Sequence, residues 1–308
     1  MAKLTRIDAE LVRRGLARSR AEATELIHAG KVLLDKNVVT KPSRQMDPAQ
    51  AIVITETNRD NYASRGAYKL IGALDYLGDF GPTIKGVRAL DAGASTGGFT
   101  DVLLRRGAQS VVAVDVGYGQ LAWRLREDPR VTVLERTNVR NLQPEMVAPT
   151  PQLVVGDLSF ISLTLVLPAL VECAAPDAEF LLMVKPQFEI GKERLGSGGV
   201  VRDLADHVET VAKVADCARS LGLGIQAVAP SPLPGPAGNV EYFLYMKRGA
   251  EDALDENLTE AIWDAVRSGP AGSANSATES AETVEEKSIS VTRKTTGQVG
   301  TTVKEQVR

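Results

Sequence analysis

The chain has 308 residues, of which 44% are hydrophobic and 24% charged, with a formal net charge of −3. That length exceeds one small domain and points to one large domain with an appendage. The longest apolar stretch, Ile161 to Val171, is interrupted by Pro168 and is too short to span a bilayer. The first residues lack the apolar core of a signal peptide, so no export is expected. Two cysteines, Cys173 and Cys217, exclude a disulfide framework and fit a reducing cytoplasm, and two histidines speak against a histidine-rich metal site. The small net charge hides an asymmetry. Residues 1–70 carry 13 Lys/Arg against 8 Asp/Glu, whereas residues 71–248 carry 17 against 20 and the remainder 6 against 11. A basic module at one end of an acidic chain suggests local contact with phosphates.

In chain order, Asp8 to Leu16 places Leu11, Val12 and Leu16 on one helical face. Ser19, with Glu22 three residues on, opens a second helix that Gly30 stops. Lys31–Leu34 and Val38-Val39 flank the polar turn Asp35-Lys36-Asn37 as a hairpin, and residues 51–54 supply another strand. After a short polar connection, Gly66 to Gly78 is helical, with Leu70, Leu74 and Leu77 aligned and Lys69 near its start. Five strands follow, at 87–90, 110–114, 131–134, 153–155 and 180–184, with helical stretches between most of them. This alternation predicts a mostly parallel sheet covered on both faces. Residues 225–229 and 242–246 are separated by a proline-loaded segment too short for a helix, so they are expected to pair antiparallel. A helix over 254–266 and a disordered Ser/Thr/Gly/Glu-rich tail complete the chain. The expected domains are residues 1–60, a linker at 61–65, a large α/β domain at 66–267 and the tail at 268–308.

In an open parallel sheet, ligands bind outside the carboxyl ends of the strands. Asp157 closes the apolar run from Leu153 to Gly156, and Lys185 closes the run from Phe180 to Val184. Both lie downstream of a glycine-rich turn, Asp91-Ala-Gly93-Ala-Ser95-Thr-Gly97-Gly98-Phe99. The dinucleotide fingerprint would place a second glycine where Ser95 stands, and the carboxylate of Asp91 suits a cationic or hydroxyl-bearing cofactor better than a pyrophosphate. Asp115 is spaced to meet ribose hydroxyls, which serves dinucleotide and adenosyl cofactors alike. The Asp157-Leu-Ser-Phe160 segment is not the Asp/Asn-Pro-Pro-Tyr of base N-methyltransferases, and neither cysteine lies at this edge to act as a nucleophile.

Three resemblances carry the reading further. The residues from Arg6 to Arg20, with Gly30-Lys31-Val32 and Val39 to Ser43, resemble an S4 domain, a module that binds structured RNA. On that resemblance Arg6, Arg14, Arg18, Arg20 and Lys41 would meet RNA phosphates; a solvated helix face is the competing reading. The glycine loop and antiparallel last hairpin resemble S-adenosylmethionine-dependent methyltransferases. This implies that Gly93, Gly97, Gly98 and Phe99 cradle the cofactor, together with Asp91 and Ser95 of the same loop. Asp115 would take the ribose and Asn138-Val139 would lie near the adenine, with Asp157 beside the sulfonium methyl.

Lys69, Asp157, Lys185 and Glu241 are similar in order to the Lys-Asp-Lys-Glu set of FtsJ-type RNA 2′-O-methyltransferases. A 2′-hydroxyl becomes a good nucleophile only as its proton leaves, and a lysine can take that proton only when neutral; desolvation and a second cation favour that form. Lys185 would be the base or steer the ribose oxygen, Asp157 would orient it, Lys69 would act as the second cation, and Glu241 would matter least. A structural ion-pair cluster is the competing reading. The pairing of S4 and FtsJ-like parts, with residues 64–70, 185–189 and 198–203, resembles the TlyA family. That resemblance implies cytidine 2′-O-methylation in 16S and/or 23S ribosomal RNA, an effect on capreomycin and viomycin sensitivity, and a cytoplasmic monomer. Arg65 would contact RNA, and Phe188 would stack on a flipped cytidine or pack beneath its loop. Two rival functions are a membrane-active haemolysin, a label also given to this family, and an RNA-binding assembly factor with an inactive methyltransferase domain.

Overall fold

The structure is a computed structural model that describes residues 4–17, 19–55, 62–235, 237–254 and 256–271. The chain divides into two units, Met1–Tyr62 and Ala63–Arg308. Arg18, residues 56–61 of the expected first domain and linker, and the tail from 272 lie outside the described residues.

The first unit contains β1 (Thr5–Arg6), α1 (Ile7–Arg13), α2 (Arg20–His28), β2 (Val32–Leu34), β3 (Asn37–Val38), β4 (Gln45–Met46) and β5 (Ile52–Ile54). Helix α1 ends earlier than the expected Leu16, because Gly15 adopts a left-handed φ of 69°. The Leu16 amide then donates to the Leu11 carbonyl and the Gly15 amide to the Val12 carbonyl, which closes the helix end. Ser19 caps α2 by accepting from the Glu22 amide, the bond its spacing predicts. Strands β2 and β3 form the expected hairpin, with Asp35 and Lys36 both in left-handed conformation, and β5 pairs with the other edge of β2. Ile7, Leu11, Leu26, Ile27 and Val32 form the core of this unit.

The second unit begins with α3 (Gly66–Leu77) and continues through β6 (Arg88–Ala92), α4 (Gly98–Arg105), β7 (Ser110–Val114), α5 (Trp123–Arg126), β8 (Val131–Leu134), α6 (Pro144–Val147) and β9 (Leu153–Gly156). Then come α7 (Leu167–Cys173), β10 (Glu179–Val184), α8 (Pro186–Glu189), α9 (Leu204–Ser220), β11 (Leu223–Pro230), β12 (Tyr242–Arg248) and α10 (Leu258–Ser268). Seven strands form one sheet in the order β11-β12-β10-β9-β6-β7-β8. All neighbours from β10 to β8 are parallel, and β12 runs antiparallel to both β10 and β11. Strand β9 is buried throughout and reads as an unbroken apolar run, as a central parallel strand should.

Strand order reverses between β6 and β9, so a crevice opens at the carboxyl ends of those strands. Register fixes what reaches it. Gly156 pairs with both Ala92 and Leu182, which puts Asp157 just beyond the ends of β6 and β9. Val184 pairs with Tyr242, so Lys185 and Glu241 face each other one step further on. Gly98 lets α3 approach: a Cβ there would sit 2.3 Å from Ser64 Oγ and 2.9 Å from the Ala67 nitrogen. The first turns of α3 and α4 therefore touch, and Lys69 is carried to the same edge.

Candidate active site

Lys69 Nζ donates to Glu241 Oε2 at 2.5 Å and lies 3.8 Å from Asp157 Oδ2. Lys185 Nζ lies 2.6 Å from Asp157 Oδ1 and 3.9 Å from Glu241 Oε1. Two cations and two anions thus alternate around a closed ring, each lysine with one near and one far carboxylate. Lys69, Lys185 and Glu241 are buried and Asp157 is partly exposed. Charges at that depth persist only when paired. Glu241, expected to matter least, makes the shortest bond in the ring and is its most buried member.

Ser159 was not singled out in the sequence. Lys185 Nζ donates to its Oγ at 2.9 Å, which makes Ser159 the second orienting contact after Asp157. It stands in the Asp157–Phe160 segment, whose departure from the base-methylating pattern was the available signal. Phe160 beside it has a left-handed φ of 64°, is 91% exposed, and holds its ring 5.2 Å from that of Phe188. An aromatic residue in that backbone region is an outlier.

Three cavities open on the ring. One of 320 Å³ is lined by Arg65, Gly93, Ser95, Gly98 and Phe99 together with all four ring residues. A second of 500 Å³ is lined by Gly93, Ser95, Asp115, Asn138 and Val139. These two share Gly93, Ser95, Asp157 and Ser159, so they are two ends of one cleft. The third, of 840 Å³, is mainly apolar in its lining; it meets the ring at Lys185 and Glu241 and is edged by Phe160 and Phe188.

The cleft fits an elongated adenosyl ligand. Gly93, in the middle of the cleft, has φ of 85°, and a Cβ there would lie 3.0 Å from the Asp157 carbonyl oxygen, so the loop's close approach to the end of β9 needs glycine. Asp115 accepts from the Ser95 amide at 2.8 Å and from the Gly117 amide at 2.7 Å, which holds the loop in shape while its carboxylate lines the wide end. Asn138 lines that end too, but its side-chain oxygen already caps the turn at 139–141 by accepting from the Arg140 amide. Gly97 is the left-handed N-cap of α4, and the Phe99 ring stacks on Phe243 at 6.0 Å, so Phe99 forms the cleft wall from within the core.

Asp91 departs from expectation. It lines none of these cavities and is fully buried. Its Oδ2 accepts from the Thr100 amide at 2.9 Å and the Thr100 hydroxyl at 2.7 Å, while Oδ1 has no partner among the described residues. Burial pushes its carboxyl up to about 7. Asp91 braces the start of α4 beneath the loop, which a sequence cannot separate from facing the ligand.

Of the residues expected to meet RNA, Arg65 lines the 320 Å³ cavity and Phe188 the 840 Å³ one. Arg6, Arg20 and Lys41 have exposed side chains or surfaces in the first unit. Arg14 differs. Its guanidinium donates to Glu10 at 2.7 Å, to the Gln50 carbonyl at 3.0 Å and to the Pro48 carbonyl at 2.7 Å, so all its nitrogens serve the fold. Its neighbour Arg13, overlooked in the sequence, is the exposed one.

Among the described residues, no cluster of acidic, histidine or cysteine side chains is arranged to hold a metal, and no helix is long and apolar enough to cross a membrane.

Family models place an FtsJ-like methyltransferase over residues 62–248 and an S4 domain over residues 5–52. A Mycobacterium tuberculosis protein named 16S/23S rRNA (cytidine-2′-O)-methyltransferase TlyA is 54% identical over 88% of this chain and 100% of its own length. The chain belongs to the TlyA family. Within that family it is also 34% identical to a Brachyspira hyodysenteriae protein named Hemolysin A, over 78% of this chain and 98% of that one. A solved Streptococcus thermophilus structure, likewise named as a hemolysin, superposes with a TM-score of 0.67 at 33% identity, covering 87% of this chain and 97% of that one. The TlyA membership fits both units: an S4 module and a methyltransferase fold whose ring of charges stands at the switch point.

Proposed function

We propose that this TlyA-family chain transfers a methyl group from S-adenosylmethionine to the 2′-oxygen of a cytidine in ribosomal RNA. The observation that carries the reading is the ring of Lys69, Glu241, Lys185 and Asp157, set between the cleft of the glycine loop and the 840 Å³ cavity. A donor in the cleft and an acceptor in the cavity would meet at Lys185. The bound cofactor supplies an electrophilic methyl group; the protein's task is to place a hydroxyl against it and remove one proton.

Lys185 suits that task. Once its ammonium has given a proton to solvent, the amine has two hydrogens and one lone pair. Ser159 Oγ at 2.9 Å would take one hydrogen and the Asp157 carboxylate, with Oδ1 2.6 Å from Nζ, would hold the amine in place, which leaves the lone pair for the incoming 2′-hydroxyl. The 2′-hydroxyl proton would pass to Nζ, and Asp157 would stabilise the resulting ammonium. Lys69, locked to Glu241, keeps a fixed positive charge where the ribose oxygen gathers negative charge. The base would enter the cavity edged by Phe160 and Phe188, where ring faces suit a flipped pyrimidine.

The 16S/23S name of the M. tuberculosis relative supports RNA of both subunits as substrate; a monomer acting in the cytoplasm is part of the same proposal. On this reading, loss of the chain lowers sensitivity to capreomycin and viomycin. The deciding experiment is a map of 2′-O-methyl positions in both ribosomal RNAs from cells with the gene, without it, and with Lys185→Ala. A cytidine mark that needs Lys185 is expected; identical maps would reject the proposal. Release of liposome contents by the Lys185→Ala protein would favour the haemolysin reading instead.

A further inference from the structure

Helix α1 carries two acidic residues in what should be its RNA-facing region, and both are buried. Asp8 is 3% exposed and Glu10 is 1% exposed. A carboxylate on an RNA-binding surface ordinarily repels the ligand, so their placement calls for a physical role. Glu10 receives Arg13 at 2.6 and 2.7 Å and Arg14 at 2.7 Å. Asp8 receives Arg6 through Nε at 3.1 Å and Nη2 at 2.8 Å, and Arg20 through Nη2 at 2.8 Å.

The two acids do different work. Glu10 binds one arginine that is spent on the fold, Arg14, and one that is exposed, Arg13. Asp8 binds two arginines from different elements, fourteen residues apart, whose side chains remain 45% and 60% exposed. Arg6 keeps Nη1 and Arg20 keeps Nε and Nη1 outside the Asp8 contacts. The Ile7 amide donates to the Arg44 carbonyl and the Asp8 amide to the Pro42 carbonyl, which lays the exposed segment 41–44 alongside.

We infer that Asp8 is a positioning residue: it fixes the Arg6 and Arg20 guanidinium groups as a preorganised pair that grips a backbone phosphate of structured RNA, with Lys41 and Arg44 extending the same surface. The inference rests on the RNA-substrate reading above and adds to it the group that builds the contact. Arg6 first, and Arg20 after it, hold the Asp8 carboxyl well below the usual carboxylate range, so it stays charged across working pH. Without the carboxylate, two guanidinium groups this close repel and sample many rotamers. With it, the rotamers are chosen before RNA arrives, and the cost of ordering long side chains is met on folding.

This makes a prediction opposite in sign to simple electrostatics. Asp8→Asn adds one unit of positive charge to the RNA-binding module, and if only net charge mattered it would tighten binding. We expect the reverse. The full chain is titrated, over a range of salt concentrations, against ribosomal subunits purified from cells lacking this protein. Asp8→Asn is expected to weaken binding about tenfold and to lower the slope of log K against log salt by about one, as loss of a phosphate contact does.

The same substitution is then made in an Arg6→Ala/Arg20→Ala chain, where it should no longer weaken binding, because the pair it organises is gone. Equal weakening in both backgrounds would mean that Asp8 only supports the fold, and unchanged or tighter binding of the single variant would mean that it organises nothing; either result overturns the inference. If the unaltered chain shows no salt-dependent binding to subunits at all, the RNA-substrate reading itself fails, which is a separate result.

Discussion

Lys69 and Glu241 are separated by 172 residues in sequence and joined by a 2.5 Å hydrogen bond in the fold. That bond ties the helix entering the methyltransferase unit to the strand that completes its sheet, and the ring forms only when both are in place. Removing the acid leaves a buried ammonium whose other carboxylate is 3.8 Å away. Breaking such a pair costs about 3–5 kcal/mol. Glu241→Ala is therefore expected to lower the melting temperature and to reduce methyl transfer by at least about 100-fold; Glu241→Gln, which retains a hydrogen-bond acceptor, should recover most of the stability and little of the rate. Calorimetry and single-turnover transfer to deleted-strain subunits measure the two effects.

Lys185 and Ser159 separate chemistry from orientation. Lys185→Ala removes the base and should lower the single-turnover rate by about 10²–10⁴. Ser159→Ala removes one of two orienting contacts and should cost about tenfold in the rate at saturating cofactor. Rates measured with saturating cofactor, beside equilibrium binding of the cofactor, check both.

These positions show what was legible in the sequence. Apolar runs mark parallel strands, and the residue that closes each run lands at the ligand edge, so Asp157 and Lys185 could be placed without coordinates. Ser159 could not, because it stands in an irregular segment with no period to fix its direction. Asp91 was assigned to the ligand because it ends a strand at the glycine loop, but whether such a side chain faces the cleft or the core depends on packing by α4. Arg13 and Arg14 are adjacent in sequence, and only carbonyls 34 and 36 residues further along decide that Arg14 is the structural one. The reversed strand β12 was expected from its short proline-rich connection; its insertion between β10 and β11 is a tertiary choice.

Arg13 and Arg14 should consequently behave as opposites. Arg14→Ala removes the donor to the Pro48 and Gln50 carbonyls and leaves Glu10 with Arg13 alone, and is expected to destabilise the first unit by about 1–3 kcal/mol. Arg13→Ala should change stability by less than about 1 kcal/mol, since its ion pair is largely solvent-exposed on the arginine side, and should weaken subunit binding in a salt-dependent way. Denaturant unfolding of the full chain and salt titrations of binding distinguish them.

Asp91 gives the stability of the methyltransferase unit a component that falls with rising pH. Its carboxyl is raised to about 7 in the folded chain, against about 3.9 for an unfolded aspartate. Between those values the folded state holds a proton that the unfolded state has released, so this contribution is fully present below pH 4 and is lost as pH rises through 7. Asp91→Asn keeps an acceptor for Thr100 without the charge. It should therefore flatten this part of the pH profile and raise the melting temperature relative to the unaltered chain at pH 8 more than at pH 5. Melting curves at both pH values provide the comparison; an equal difference at the two would contradict the assignment.

The segment 190–199 borders the 840 Å³ cavity through Gly191, Lys192, Leu195 and Gly199, and Arg194 anchors it. The Arg194 guanidinium pairs with Asp206 and with Glu209, the latter at 2.6 and 2.9 Å, both on α9. Gly191, Gly198 and Gly199 are all left-handed, so the segment is jointed at both ends and depends on a side chain for its position. Asn239 secures the far end, accepting from the Val201 amide at 3.0 Å and donating to the Gly199 carbonyl at 2.8 Å. If the cavity receives the acceptor nucleotide, loosening the segment should affect capture of RNA more than the transfer step. Arg194→Ala is accordingly expected to raise the KM for subunits several-fold while lowering kcat by a smaller factor and leaving cofactor affinity unchanged. Steady-state kinetics with subunits as the varied substrate test this. A fall confined to kcat would instead mean that Arg194 acts through the placement of Lys185, which α8 joins directly to the segment.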